Sequence, residues 1–569
     1  MSAATISTPP SRRIRGGPRF TTAREAVDLI SDGDTLAIGG SGGGLVEPDL
    51  LLRSLGERYQ EEGGPGALTL LHTTGIGDRE GGGMDHLAHA GLARRIVAGN
   101  WGMAPRMSQM VIDNQFEAYN FPQGVMSQLL REIAGGRPGL ITHVGLGTFC
   151  DPRVEGGRLN KAAKDDIVEV IQVGGREWLF YPSFDIDVCF IRGTTADEDG
   201  NISLEEEGAN LEMLSLAQAT RNSGGLVIAQ VKQVAEAGTL HPRSVVVPGI
   251  CVDVVVVNAE QRQLVTHDYN PAFAGQLKQS LSRLDPFPLD QRKVVARRAV
   301  AEVRDGDVVN LGVGIADGVA SVAAEEGWSD LVTLTIEQGL VGGVPARGVI
   351  FGVATNPVAI LDQPYQFDFY DGGGLDITFL GFAQIDLAGN VNVSKFGNRV
   401  VGAGGFINIS QNARTVVFCG TFNAGGLRAV PGDGRLEVEV EGRHSKFVNR
   451  VDQITFSAEQ ARLRGQRILY VTERAVFTLG ENGLVLVEVA PGIDVQTQVL
   501  DLLPGEVEVA DVASMDRTIF EDRPLGPDWR AQFKQRAQLP RRAVTSAAAG
   551  TSGASPQPLN KSHLSQEVN

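Results

Sequence analysis

Residues 26–39 read AVDLISDGDTLAIG, and residues 299–312 read AVAEVRDGDVVNLG. The two stretches lie 273 positions apart (299 minus 26), and each runs from an amphipathic segment through an Asp-Gly-Asp turn and an apolar strand to a glycine. Residues 187–202 and 376–391 match in the same way at an offset of 189. Because the repeats are as long as domains, they predict a duplicated fold rather than a solenoid.

Glycine loops after strands rich in Val, Ile and Leu, with helical stretches between them, predict an α/β protein made of two similar open domains with largely parallel sheets. The proline-containing stretch LDPFPLD, residues 284–290, indicates a linker. We expect a disordered N-terminus over 1–18, an N-terminal domain over 19–284, the linker over 285–291, a C-terminal domain over 292–535 and a disordered tail over 536–569. Ligands of such sheets bind at the carboxyl ends of the strands, so the glycine loops are where chemistry is expected.

Composition excludes several kinds of partner. A formal charge of -17 argues against duplex nucleic acid and anionic membranes, which need clustered Lys and Arg. Four widely spaced cysteines give neither a disulfide framework nor a cysteine zinc site, which favours a reducing cytoplasm. The N-terminus lacks the apolar core of a secretory signal, and the longest apolar run is too short to span a membrane.

Several motifs are weak. No complete G-x-G-x-x-G and no G-K dipeptide is present, which disfavours a nicotinamide enzyme or a nucleoside triphosphatase. Ser41 lies in a G-x-S-x-G match, but so glycine-rich a loop produces that match easily. His86 and His89 are one helical turn apart, and surface histidines are the commoner outcome because no third ligand is evident. The acidic groups at 205–207, 368, 371 and 376 lack calcium-loop spacing and are expected to be solvated or turn residues.

Glu337 is the strongest candidate for chemistry. It stands in TIEQGLVGG, residues 335–343, directly after an apolar strand pattern and before a glycine-rich turn. A carboxylate so placed has a rigid strand behind it and an open loop in front, which suits a nucleophile. The alternatives are a helix cap or a solvated loop carboxylate.

In combination, the motifs of residues 20–530 resemble the class I coenzyme A transferases, closest to the single-chain propionate and acetate branch. Those of the first half are Asp32-Gly33, Gly39-Gly40, Pro48 and Pro122-Gln123-Gly124. Those of the second half are Ile336-Glu337-Gln338-Gly339 and Gly402-Ala403-Gly404-Gly405-Phe406. Ser41 departs from the family pattern, in which an aromatic residue is usual; Ile336 and Gln338 are departures associated with this branch.

The resemblance implies a duplicated CoA-transferase fold and exchange of CoA between short-chain acids such as acetate, propionate and butyrate. Glu337 would attack the acyl-CoA to give an anhydride and then a glutamyl-CoA thioester, and no metal or cofactor would be consumed. Gln123 would contribute to the oxyanion or substrate site. Gly402, Gly404 and Gly405 would belong to the CoA pocket, with the backbone of Gly404 and Gly405 as candidate oxyanion donors.

The expected partners are therefore acyl-CoA and short-chain carboxylic acids, with neither nucleic acid nor membrane, and a homo-oligomer, either a dimer or a tetramer, is expected from the family. Two alternatives stay open. A thioester hydrolase would use the same glutamate, and a non-catalytic acyl-CoA-binding protein would not need it. Asn201 and Asn390 follow glycines in matching loops and are interpreted as turn residues.

Overall fold

The structure is a computed structural model that describes residues 12, 17–280, 287–312, 314–315, 317–328, 330–527, 529 and 531. The predicted disordered tail at 536–569 lies outside these residues, as do most of the predicted disordered N-terminus and positions 285–286 of the predicted linker. The domain boundaries given above therefore stay a prediction.

The first half of the chain forms an eight-stranded sheet in which neighbouring strands are parallel. Its strands are β1 (Arg19–Thr21), β2 (Thr35–Ile38), β3 (Leu68–His72), β4 (Ala93–Ala98), β5 (Glu117–Asn120), β6 (Val188–Arg192), β7 (Leu226–Val231) and β8 (Val254–Val257). They lie side by side in the order β1-β8-β7-β6-β2-β3-β4-β5. The helices of this half are α1 (Ala23–Val27), α2 (Asp49–Glu62), α3 (Pro105–Ile112), α4 (Gln123–Ala134) and α5 (Met213–Asn222).

The second half forms a ten-stranded sheet with a parallel centre and antiparallel pairs toward both edges. Its strands are β9 (Val308–Leu311), β10 (Thr333–Ile336), β11 (Leu340–Val341), β12 (Ala359–Ile360), β13 (Ile377–Gly381), β14 (Thr415–Cys419), β15 (Arg467–Val471), β16 (Ala475–Leu479), β17 (Leu484–Val489) and β18 (Glu508–Ser514). Their order is β12-β11-β10-β9-β13-β14-β15-β16-β17-β18. The helices are α6 (Gln291–Val300), α7 (Asp317–Glu325), α8 (Gln363–Asp371), α9 (Phe406–Asn412), α10 (Ala458–Arg464) and α11 (Val495–Gln498).

The two sheets share one arrangement, which confirms the predicted duplicated α/β fold. Five parallel strands run β8-β7-β6-β2-β3 in the first half and β15-β14-β13-β9-β10 in the second. Equivalent strand starts are fixed by equivalent bonds: Asp187 accepts from the Thr35 N–H at 2.9 Å, and Asp376 accepts from the Val308 N–H at 3.0 Å. The repeated aspartates thus join β6 to β2 in the first half and β13 to β9 in the second.

The matching loops also agree. Asn201 donates to the Asp197 carboxylate at 2.9 Å, and Asn390 donates to the Asp386 carboxylate at 3.0 Å. Both asparagines close tight turns, as their interpretation as turn residues predicts.

Small sheets and short helices decorate this frame. In the first half they comprise Gly139–Thr142, Glu169–Val173 and Arg176–Pro182, then Thr195–Asp197, Ile202–Ser203, Gln233–Ala235 and Val245–Val247, with short helices at Gly83–Leu87 and Gly249–Cys251. In the second half they comprise Val344–Pro345, Ala354–Thr355, Gln384–Asp386, Val391–Asn392, Lys395–Phe396, Arg399–Val400, Asn423–Ala424, Arg428–Gly432, Arg435–Val440, His444–Ser445 and Phe447–Val448, with short helices at Gly348–Ile350, Leu500–Leu502 and Arg517–Phe520.

The halves meet through α4, which packs against α8 and α9. At this junction the Gly124 N–H donates to Asn408 at 3.1 Å and Gln128 donates to Asp371 at 2.9 Å. The start of α4, which carries the Pro-Gln-Gly motif, therefore lies against the second half. None of the described helices combines the length and apolar character that crossing a membrane requires.

Candidate active site

Glu337 follows directly after β10, at the carboxyl edge of the second sheet. Its backbone is fixed by the strand, while its side chain lies in partly buried surroundings. Burial raises the pKa of this carboxyl to about 7, and a hydrogen bond from Asn310 opposes that rise. A carboxyl with this pKa is substantially ionised at neutral pH and poorly solvated, which are the properties a carboxylate nucleophile needs.

A buried polar network lies beneath Glu337. The Asn310 amide nitrogen is 3.4 Å from Oε2 of Glu337 and 3.5 Å from the Tyr370 hydroxyl. Tyr370 donates to Oγ1 of Thr335 at 2.8 Å, and Thr378 donates to Oδ1 of Asn310 at 3.1 Å. This network orients the Asn310 carboxamide so that its N–H groups face the glutamate.

The sequence analysis missed Asn310 and Tyr370. For Asn310 a signal was present, because the strand VVNLG carries a polar residue where the first copy, TLAIG, has Ala37. A polar residue in the middle of a buried strand needs hydrogen-bond partners, so its presence there calls for an explanation. Tyr370 had no equivalent signal, since an aromatic residue in a helix is ordinary core material.

The Gly404–Gly405 segment lies between Glu337 and Gln123. A methyl group built on Gly405 would be 3.3 Å from Cγ of Glu337 and 3.4 Å from Cζ of Phe367. On the other side, the Gln123 N–H donates to the Gly404 carbonyl at 2.9 Å. Gln123 from the first half and Glu337 from the second thus lie next to two consecutive glycines.

The three predicted CoA-pocket glycines differ in what their N–H groups do. Gly402 donates to the Ser394 carbonyl at 2.9 Å, and Gly404 donates to the Gly99 carbonyl at 2.7 Å. Both have positive φ, of +83° and +53°, where a side chain is disfavoured. Within the described part of the chain, no acceptor is bonded to the Gly405 N–H. Gly405 is therefore the better candidate for a donor to substrate, while Gly402 and Gly404 shape the loop.

Gln123 is the first residue of α4 and follows Pro122, which suits a helix start. Its side chain is 3% exposed and donates through Nε2 to Oε1 of Gln363 at 2.9 Å. Gln363 donates in turn to Glu212 at 3.1 Å. One N–H of the Gln123 carboxamide is thus engaged within the protein, and the second is left for a ligand.

The glycine loop of residues 39–48 in the first half approaches the second half closely. The Gly43 position leaves no room for a side chain, since a methyl group there would be 3.1 Å from Cα of Ile350. Arg192 holds this loop through the carbonyls of Gly44 and Glu47, at 3.0 and 3.1 Å, and is itself paired with Glu207. Arg192 therefore holds this loop in place against the second half.

The weaker candidates are accounted for without catalysis. Ser41 bonds through its N–H to the Leu45 carbonyl at 2.8 Å, and in the described residues no histidine or carboxylate bonds its hydroxyl. His86 contacts Asp49 at 3.0 Å, whereas His89 contacts Gln60. No group of three or more metal-binding side chains occurs among the residues that the structure describes.

The acidic groups singled out in the sequence are mostly paired. Glu206 binds Lys232 at 2.6 Å, and Asp368 binds Arg131 at 2.6 Å. Asp371 is partly buried and accepts from Asn408 and Gln128 at the junction of the halves. They are therefore structural groups rather than ligands for calcium.

The comparisons with known proteins agree with this geometry. The coenzyme A transferase family profile matches residues 20–258. The acetate CoA-transferase YdiF of Escherichia coli (strain K12) is 44% identical over 516 residues, which is 90% of this chain and 97% of that protein. The caffeate CoA-transferase of Acetobacterium woodii is 45% identical over 520 residues, covering 90% of this chain and 99% of that protein.

A solved structure gives the same result for the fold. The acyl-CoA transferase YdiF from E. coli O157:H7, solved as a thioester complex with CoA, superposes with a TM-score of 0.86 at 43% identity, covering 92% of this chain and 99% of that one. Identity at this level over nearly the whole of both chains establishes common descent and a common fold. This chain is a CoA-transferase and belongs to the class I coenzyme A transferase family.

Proposed function

We propose that this CoA-transferase moves coenzyme A between short-chain carboxylic acids, in the range of acetate, propionate and butyrate, through a covalent glutamyl-CoA thioester on Glu337. The position of Glu337 supports the proposal: it is a strand-end carboxylate with a raised pKa, it is hydrogen bonded by Asn310, and a methyl group added to Gly405 would be 3.3 Å from its Cγ. The related YdiF solved as a thioester complex with CoA supports it.

The chemistry proceeds in two symmetrical halves. An ionised oxygen of Glu337 adds to the acyl-CoA carbonyl and expels CoA as a thiolate, which leaves an acyl-glutamyl anhydride. The thiolate then adds to the glutamyl carbonyl and expels the donor acid as a carboxylate, which leaves glutamyl-CoA. An incoming carboxylate reverses both steps, so that no proton, electron or water molecule is consumed overall.

Each addition places negative charge on a carbonyl oxygen, and fixed N–H donors lower the barrier most when they are already aimed at that oxygen. The Gly405 N–H and the second N–H of the Gln123 carboxamide are the proposed donors. Both belong to groups held by the protein rather than by solvent, since Gln123 is buried and Gly405 begins α9. Losing one such donor typically costs about 3 to 4 kcal/mol in the barrier.

The two curated relatives act on acids of different size, acetate in one case and caffeate in the other. The proposed range of small acids is the one implied by the motifs that resemble the acetate and propionate branch. A kinetic screen of C2 to C6 acids and of caffeate, all with one acyl-CoA donor, tests this range. The highest kcat/KM is expected for C2 to C4 acids, and a preference for caffeate would contradict the proposed range.

We further propose that turnover needs no resident metal or cofactor, so that exchange should continue undiminished in the presence of a chelator.

A homo-oligomer is also proposed, supported by Leu361, Tyr365 and Phe369, which are exposed apolar side chains spaced by four residues. Light scattering on the purified protein tests that assembly, and a monomer would contradict it. The cytoplasmic location of this protein stays a prediction.

Borohydride treatment after incubation with acyl-CoA alone tests the covalent intermediate. A glutamyl thioester is reduced to an alcohol, so the enzyme should lose activity only when acyl-CoA was present. An acyl-CoA hydrolase would instead release free CoA steadily without any acceptor acid. A protein that only binds acyl-CoA would do neither.

A further inference from the structure

A chain of buried polar side chains leads away from Gln123 into the first half. Gln123 donates to Oε1 of Gln363 at 2.9 Å, and Gln363 donates to Oε2 of Glu212 at 3.1 Å. Thr73 donates to the other Glu212 oxygen at 2.8 Å. All four residues are at most 3% exposed, so water cannot substitute for any of these bonds.

This chain has a direction that Glu212 sets. An ionised carboxylate can only accept hydrogen bonds, so Gln363 must turn its NH2 group toward Glu212 and its oxygen toward Gln123. Gln123 must then turn its own NH2 group toward Gln363. A neutral group in place of the carboxylate could donate instead, and both carboxamides would then be free to reverse.

We propose that Glu212 is a positioning residue of the CoA-transfer reaction, which acts through Gln363 to fix the orientation of the Gln123 carboxamide. The inference rests on the proposed function, in which Gln123 faces the reacting carbonyl. Glu212 itself touches neither substrate nor Glu337 in this account. Its contribution is to keep the donor N–H of Gln123 in one place during both half-reactions, as preorganised catalysis requires.

The surroundings of Glu212 allow such a switch in protonation. Burial, with a smaller contribution from the charge of Asp362 at the start of α8, raises its pKa to about 7. The other elements packed against it present neutral groups: the end of β3 presents the Thr73 hydroxyl, and the glycine loop presents the backbone of Gly40. No ion pair of the described residues includes Glu212. The catalytic orientation should therefore be lost when the pH falls below about 7.

The pH profile of kcat/KM separates this role from a merely structural one. In the wild type, Glu337 and Glu212 must both be ionised, so the logarithm of kcat/KM should fall with a limiting slope near two on the acid side. In the Glu212→Gln variant only Glu337 remains, and the slope should become one. The kcat at pH 8 should also fall by about twofold or more, because the Gln123 carboxamide can now adopt both orientations and only one of them directs its N–H at the substrate.

Two further variants guard against misfolding. Gln363→Met keeps the carboxylate but breaks the chain, so it should lower kcat as much as Glu212→Gln, and the double variant should be no worse than either single one. Asp307→Asn is the matched control, because Asp307 is also a buried carboxyl with a raised pKa but lies at the opposite edge of the second sheet. Its acid slope should remain two.

An unchanged slope in Glu212→Gln, or additive losses in the double variant, would overturn the inference. Failure of the proposed function looks different. If acyl-CoA leaves no adduct on Glu337 in the wild type, the covalent mechanism fails; if the adduct forms equally fast in the wild type and in Glu212→Gln, only the role of Glu212 fails.

Discussion

The two halves of this protein hold equivalent rows of side chains across the same three strands. In the first half the row is Leu71, Ala37 and Cys189, and in the second it is Thr335, Asn310 and Thr378. The strand register that aligns them is the same in both sheets. The first row is apolar and the second is hydrogen bonded. The two copies therefore share the strand arrangement and differ in the polarity of the side chains at these three positions.

The position above that row differs in the same way. Thr69 and Thr333 are paired equivalently, and four residues further on stand Thr73 in the first half and Glu337 in the second. Thr73 bonds a carboxylate, Glu212, whereas Glu337 is itself the carboxylate. In the proposed mechanism the nucleophile therefore belongs to one copy of the fold, and the other copy contributes Gln123.

The largest expected effect on activity comes from substitutions at these two equivalent positions, Glu337 and Thr73. Glu337→Gln removes the nucleophile and should lower kcat on the order of 10⁴-fold or more, as losses of a covalent nucleophile do. Thr73→Val, in the other half, should lower it by less than about tenfold, because it removes only one bond to Glu212. Exchange of labelled acetate into acetyl-CoA measures both. Comparable losses in the two variants would show that the halves share the chemistry.

The second effect tests the contact between Gly405 and Glu337. Gly405→Ala adds a methyl group 3.3 Å from Cγ of Glu337 and should reduce kcat about 100-fold by displacing the carboxylate. The φ of Gly405, -78°, suits alanine, so folding should be retained. Gly432→Ala is the control, because nothing lies within 4 Å of the added methyl. Equal activities would refute the contact.

The third experiment gives the first half the asparagine of the second. Ala37→Asn places a carboxamide between Leu71 and Cys189, where neither side chain is a good partner, and should lower the free energy of unfolding by about 2 kcal/mol. Activity per folded molecule should be unchanged at low temperature. Urea unfolding with an activity assay separates the two, and an unchanged stability would mean that the apolar row tolerates polar groups.

The reverse exchange, Asn310→Ala, gives the second half the residue of the first. It removes a hydrogen bond that stabilises the Glu337 carboxylate, so the pKa of Glu337 should rise further above about 7. Because only the ionised form attacks, kcat/KM at pH 7 should fall about tenfold and the midpoint of its acid limb should move to higher pH. A loss of activity without that movement would assign Asn310 a different role.

The smallest effect concerns stability. The folded-state pKa of Glu337 is raised above its unfolded value, so this group destabilises the fold progressively as the pH rises from about 4.5 to about 7. Glu337→Gln should therefore be more stable than the wild type at pH 8, on the order of 1 kcal/mol, and equal to it near pH 4. Melting curves at the two pH values give the comparison; a variant stabilised equally at both would contradict the raised pKa.

The duplicated α/β frame was predictable from the sequence, because the Asp-Gly-Asp turns and their flanking strands recur. The position of Glu337 at the end of a strand and before a glycine turn was predictable as well, and its catalytic role stays a prediction. The Glu212–Gln363 chain was not, because its members are 151 residues apart. The hydrogen bond from the Gly404 N–H to the Gly99 carbonyl was not predictable either, since a glycine motif does not show which backbone N–H groups bond within the protein.

In the proposed mechanism, CoA becomes covalently attached to a residue of only one copy of the duplicated fold. The most direct measurement is mass mapping of peptides after a single incubation with acyl-CoA, followed by rapid acid quenching. We expect a CoA adduct on the peptide that contains Glu337 and none on the peptide that contains Thr73. An unmodified Glu337 peptide, with the adduct elsewhere or nowhere, would contradict it.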